Sequence, residues 1–216
     1  MRPLFYGLAM AAAVFAAADA HAFTHDWSNA TVISDPIEGG IAADRDITRL
    51  WFDHDANDGF YYLRMDVAGA FNPNAPTTYG VYIDAMAGGG DGANIYYVPS
   101  ALSGIDFIID SHLDKNLFAD IGGWKHDFHV WNGSGFERVG VDAQVYLTTL
   151  EYRFNLPPGI NTMELTGSTH NYNPYIFDTT DTTTVPGAPV PLPGSILLLG
   201  SGLGLIAGGR RRLRQA

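Results

Sequence analysis

Between residues 23 and 178 the chain is a succession of short runs in which apolar and polar residues alternate, separated by clusters of Gly, Pro, Asn and Asp. The runs over 47–53 and 60–67 show the pattern best. Leu50 and Phe52 share one face of the first, and Tyr61, Leu63, Met65 and Val67 one face of the second, while Trp51, Tyr62 and Arg64 fall opposite. Side chains alternate across a strand, so a period of two predicts half-buried strands. The intervening Asp55-Ala-Asn-Asp-Gly59 marks a hairpin turn. Further strands are predicted over 27–33, 78–84 with Val81 and Ile83 inward, 95–98, 106–110 with Phe107 and Ile109 on one side, 149–156 and 163–166. A second hairpin, 128–131 with 136–141, turns at Asn132-Gly-Ser-Gly135. No window carries a helical period, although 113–121 has room for one or two turns. Short strands at regular intervals predict an all-β, antiparallel β-sandwich of jelly-roll-like kind.

Both ends depart from this pattern. Arg2, an apolar run over 8–18 and Ala20-His21-Ala22 make a signal peptide over 1–22, with Ala18-Asp19-Ala20 as the competing cleavage site. The Thr- and Pro-rich stretch 179–189 reads as a linker. Beyond it come Val190, Pro191, Leu192 and Pro193, an uncharged run over 196–209, and Arg210, Arg211, Arg212 and Arg214. That run would rise about 21 Å as a helix, short of a hydrocarbon core of about 30 Å. The arginines hold the extreme C-terminus in the cytoplasm and leave the preceding domain across the membrane. A short tail of this kind suits a transient anchor that is later removed. Gly200, Gly204 and Gly208 would line one helix face, which either permits close helix pairing or reflects ordinary tail composition.

The tail resembles the PEP-CTERM sorting signal of Gram-negative bacteria, with Pro191-Leu-Pro193 where that family usually has Pro-Glu-Pro. The resemblance implies an exosortase-type processing enzyme as partner, transient contact with the inner membrane, and delivery to the cell surface or an exopolysaccharide matrix. A sortase signal is excluded because Leu192-Pro193-Gly194-Ser195-Ile196 lacks the required Thr-Gly. Residues 46–110 more loosely resemble family-9 carbohydrate-binding modules and DOMON-like β-sandwiches. The resemblance rests on Asp46-Ile-Thr-Arg-Leu-Trp51, Gly59-Phe-Tyr-Tyr-Leu-Arg-Met-Asp66, Tyr79-Gly-Val-Tyr-Ile-Asp84 and Gly104-Ile-Asp-Phe-Ile-Ile109. It implies the fold and leaves the ligand open, since such folds serve sugars, haem or no known ligand.

Charge narrows the partners. Without the signal peptide and tail, 22 acidic residues stand against 7 basic ones, a net charge of −15 that repels nucleic acid and anionic lipid. Of those acids 18 are Asp, a bias that favours turns and short-reach cation ligation over helices. There is no cysteine, so stability rests on packing, hydrogen bonds or a bound ion, and a thiol nucleophile is excluded.

Asp53, Asp55, Asn57 and Asp58 place oxygen donors around one tight turn, a candidate calcium site, although Asp58 and Arg64 stand where an EF-hand needs Gly and Glu. The same residues serve equally as turn formers that bond their own backbone. Gly88-Gly-Gly-Asp91-Gly92 lacks the Lys and helix of a phosphate loop. His126 and His129 point to opposite faces of a strand, so they are expected as surface histidines rather than co-ligands. No serine sits in a Gly-x-Ser-x-Gly setting, and no catalytic constellation emerges. Trp51, Tyr62 and Tyr82 with Arg64 and Asp84 are candidates for a glycan-binding platform, since rings cover sugar C–H faces while polar groups fix hydroxyls. The expected function is therefore that of an exported, non-catalytic surface or matrix protein that binds glycan. The alternatives are a structural matrix protein with no small ligand and a calcium-stabilised adhesion module.

Overall fold

The computed structural model describes residues 23–85, 102, 104–118, 122–157, 159–171 and 176–187. The signal-peptide segment, the strand expected over 95–98 and the sorting residues Val190 to Pro193 and Arg210 to Arg212 lie outside these residues. Strands β1 (Thr31–Ser34), β2 (Ile47–His54), β3 (Tyr61–Val67), β9 (Thr149–Phe154) and β8 (Asp142–Val145) form one antiparallel sheet in the order β1-β2-β3-β9-β8. The second sheet runs β11 (Ile176–Thr179), β10 (Thr162–His170), β4 (Thr77–Asp84), β5 (Phe107–Leu113), β6 (Trp124–Trp131) and β7 (Phe136–Val139). Strand β12 (Thr183–Pro186) pairs with the first half of β10, leaving the second half to β11. The molecule is a β-sandwich, as the alternation predicts.

The inward residues of the two sheets meet in one core. Leu50, Phe52, Leu63, Met65, Leu150, Tyr152 and Phe154 come from the smaller sheet, and Tyr79, Val81, Ile83, Phe107, Ile109, Phe128, Met163 and Leu165 from the larger. Burying such side chains stabilises by about 1.5–3 kcal/mol each before the entropy of ordering is subtracted. Gly167 lies where the sheets meet, and a Cβ there would come into ordinary contact with Met65 at 3.4 Å and Ile47 at 3.5 Å of the facing sheet.

Several boundaries differ from expectation, each for a local reason. Trp27–Asn29 is a 3-10 turn rather than the start of a strand, because the Asp26 carboxylate accepts from the Ser28 amide at 3.0 Å and caps it. Residues 183–186, expected within a linker, are strand β12 instead. Their backbone completes the edge of β10, and Val185 is buried in the core. Strand β10 continues to His170 because the polar run Thr166 to His170 is paired with β4 on one side and β11 on the other. Strand β8, Asp142-Ala-Gln-Val145, alternates over only four residues; it pairs with β9, and Ala143 and Val145 pack against the core.

Candidate functional site

The turn Asp55 to Gly59 uses its acids locally. Asp55 accepts from the Asn57 amide and side chain, both at 2.8 Å, and Gly59 closes the turn at φ 77°. Asp58 accepts from the Phe60 amide at 2.9 Å and the Tyr62 hydroxyl at 2.5 Å. Burial opposes ionisation of Asp58, but those two bonds, with Arg153 nearby, hold its carboxyl below the usual range. Asp53 turns away to His25 Nε2, 2.9 Å distant. The structure therefore does not bring Asp53, Asp55, Asn57 and Asp58 around one point.

The five platform residues divide between two sheets. Trp51, Tyr62 and Arg64 lie on the outer face of the smaller sheet, where the segment Phe23 to Trp27 crosses them. The His25 ring stacks on Tyr62 at 3.9 Å, Phe23 packs its edge at 5.7 Å, and Tyr62 is only 3 % exposed. Burial, reinforced by the Asp58 bond, pushes the Tyr62 phenol up to about 12. Trp51 keeps partial exposure but gives its indole N–H to Asp66 at 2.9 Å, while Arg64 pairs with the same Asp66 at 2.8 Å. Trp27 donates to Glu151 at 3.2 Å, and burial there raises the Glu151 carboxyl. Tyr82 and Asp84 belong to the outer face of the larger sheet. Tyr82 is buried with Ile105 and Ile108, its hydroxyl 3.0 Å from His170 Nε2, and Asp84 accepts from the Gly104 amide at 3.3 Å. A single platform of these residues does not exist, because Phe23 to Trp27 covers one part and the chain around Ile105 covers the other.

The same outer face of the larger sheet carries a charged network that the sequence reading missed. Asp110 and Asp127 are directly opposed on β5 and β6, and both are 2 % exposed. Like charges in that position repel, and burial makes the repulsion costly. Lys125 Nζ lies 2.8 Å from Asp127, and Arg138 pairs with its other oxygen. His112 Nε2 lies 2.9 Å and His129 Nε2 3.8 Å from Asp110. Asp110, Asp127 and His129 offer ligand atoms within 4.8 Å of one another, but Lys125 and Arg138 already supply the balancing charge. The signal was present as alternate Asp110 and His112 on one strand and Lys125, Asp127 and His129 on the next, yet it reads as an ordinary solvated face until the strands pair. His126 and His129 do point to opposite faces. His126, however, points between the sheets, bonded to Ser111 at 2.6 Å, where burial pushes its imidazole down to about 4.

A cleft of about 580 Å³ opens where the chain leaves β7 and crosses through Gly140 and Val141 to β8 in the other sheet. Phe128 and Phe154, with ring centroids 5.3 Å apart, lie on its inner side. Phe60, Arg153, Asp142 and Asn155 also line it. Arg153 donates to Asp142 Oδ2 from Nε at 3.1 Å and from its terminal nitrogen at 2.6 Å, and its guanidinium lies 4.7 Å from the Phe60 centroid. The Asp142 hydrogen bond, the leading cause, raises the Arg153 pKa, so the guanidinium stays charged. The cleft thus joins aromatic surface to fixed donors and acceptors, the combination a small polar ligand requires. No family model, curated protein or solved structure matches the chain.

Proposed function

We propose that this chain is an exported, non-catalytic surface or matrix protein whose β-sandwich, jelly-roll-like in kind, binds neutral glycan in the cleft between β7, β8 and the end of β9. One observation carries the reading: Phe60 beside the Arg153–Asp142 pair at the mouth of a cleft of ligand size. A ring can cover the C–H face of a sugar while the ion pair and Asn155 bond its hydroxyls. The net charge of −15 over residues 23–189 favours a neutral over an acidic polysaccharide. Export and surface delivery rest on the signal peptide and on the PEP-CTERM-like tail Val190 to Arg214, with an exosortase-type enzyme as processing partner and exopolysaccharide as the surrounding matrix.

Native electrophoresis of the full-length chain in gels containing neutral polysaccharides tests it. Retardation by at least one polysaccharide is expected, with Phe60→Ala and Asp142→Ala weakening it about tenfold or more, the equivalent of about 1.4 kcal/mol. Retardation unchanged in both variants, or absent throughout a broad panel, would leave the structural matrix protein as the better reading.

A further inference from the structure

The glycan cleft is a stretch of core that the chain leaves unfilled. Its inner wall comes from strands of both sheets at their inward positions. Phe128 and Val130 of β6 and Phe154 of β9 continue the core alternation, and Leu156 follows Phe154 at the same parity. Val139 of β7 directly opposes Phe128, so it too faces inward, yet it is 38 % exposed. The path of the chain explains this. After Val139 it crosses to the other sheet through Gly140, where an added Cβ would meet no atom within 4 Å. Gly140 thus brings no side chain to close the gap, and the neighbouring Val141 is only partly buried against the core.

Polar side chains are confined to the mouth. Asp142 and Arg153 oppose each other on β8 and β9 and are bonded together, and Asn155 lies exposed two residues further on. Among the described residues these three are the polar side chains of the lining, and the inner wall is apolar. A sugar hydroxyl turned toward that wall would lose its water with no side chain to replace it, which weakens binding roughly five- to a hundredfold. A methyl group in the same place would exchange water for apolar surroundings, worth roughly fourfold in affinity. The wall therefore disfavours a bare hydroxyl and favours an apolar substituent. A purely alkyl ligand would in turn offer nothing to Asn155 or the ion pair. An acetyl group meets both demands, with its methyl turned inward and its carbonyl at the mouth, where the Asn155 amide can donate. Acetylation adds no charge, in keeping with the net charge of −15 over residues 23–189.

We propose that the cleft selects neutral sugars that carry an acetyl group, the acetyl methyl entering between Val130, Val139, Val141 and Leu156 while the sugar ring stays against Phe60. The inference rests on the glycan reading of the same cleft and adds the class of sugar it takes. N-linked and O-linked acetyl groups share this chemistry.

Calorimetric titration of the full-length chain with matched ligands tests the proposal. One pair is chitotetraose, N-acetylated on every ring, against cellotetraose, which has the same linkage and a hydroxyl in place of the acetamido group. The other is acetylated glucomannan against the same polymer after alkaline deacetylation, so the two arms separate N-linked from O-linked acetyl. In at least one arm the acetylated member should bind about fivefold more tightly or better. Val139→Thr puts a hydroxyl on the wall at a partly exposed position, and should cut that ratio by about half or more, chiefly by weakening the acetylated ligand. Val141→Thr should act in the same direction and serves if the first variant folds poorly. Phe60→Ala should weaken both members alike and keep the ratio. Equal affinity within both pairs, each still weakened by Phe60→Ala, would overturn the acetyl selectivity and leave the glycan cleft standing. A preference unchanged by both threonine variants would overturn the assignment of the methyl to this wall. If neither pair binds while other neutral polysaccharides retard the chain in gels, the acetyl inference alone fails; if retardation is absent as well, the glycan reading fails with it.

Discussion

Gly80 shows how one residue can set a face. A Cβ at this position would lie 2.9 Å from the Tyr82 hydroxyl and 3.1 Å from its ring, so the glycine is what lets that ring lie along β4. The ring has nowhere to retreat, being buried against Ile105 and Ile108 with its hydroxyl beside His170. Gly80→Ala should therefore destabilise by about 1–3 kcal/mol in chemical denaturation, the usual cost of overpacking. The penalty should largely vanish in a Tyr82→Ala background, because the clash needs both partners. An equal cost in both backgrounds would place the strain elsewhere. In the strand sequence Gly80 is only an interruption of a β pattern; its meaning comes from a side chain two residues along on the same face.

At the scale of elements, the segment Phe23 to Trp27 behaves as a strap over the smaller sheet. The Gln144 side chain donates to the Phe23 carbonyl at 2.5 Å, His25 reaches Asp53, and Trp27 reaches Glu151, so β8, β2 and β9 each hold one point. The strap replaces water over Tyr62 and converts an expected outer face into a third layer. Phe23→Ala should cost about 3–5 kcal/mol, as for other buried aromatic truncations. It should also bring the Tyr62 phenol back down from about 12 as water returns, which ultraviolet titration can follow. A Phe23→Ala protein with unchanged stability and phenol titration would mean that the strap does not hold in solution. Strand β12 makes a similar point: Thr and Pro suit a linker by composition, but an unpaired edge of β10 gives their backbone a use.

For the whole molecule, acid sensitivity should reflect His126. Its imidazole titrates near 4 in the folded chain because burial disfavours the charged form, against about 6.5 when unfolded. Between those values the unfolded state binds the extra proton, so stability rises with pH through the window and is lost as pH falls from about 6.5 to 4. His170, lowered by burial as well, acts in the same direction. Asp35, Asp178 and Glu151, all raised by burial, act in the opposite sense, so the difference between wild type and His126→Gln isolates the histidine. That difference should fall by up to about 3 kcal/mol across the window, less where water reaches the ring. Parallel stability curves for the two proteins would show that His126 carries no such linkage.

Alternation and turn chemistry determined the class of fold, the two hairpins and most of the core. Leu50, Phe52, Leu63, Met65, Val81, Ile83, Phe107 and Ile109 are buried as their strand periods require. These are local properties, written in a period of two and in residues that favour turns. Tertiary structure alone decided what the polar faces do. Parity along a strand says that Trp51, Tyr62 and Tyr82 point away from the core, but not that a distant segment returns to cover them. It says that Asp110 and Asp127 lie on an outer face, but not that they face each other. Asp178 stands far along the chain from the start of β2, and only the approach of β11 brings its carboxylate to the Ile47 amide. A carboxylate's environment depends on which strands pair and what lies over them, and no local pattern encodes that.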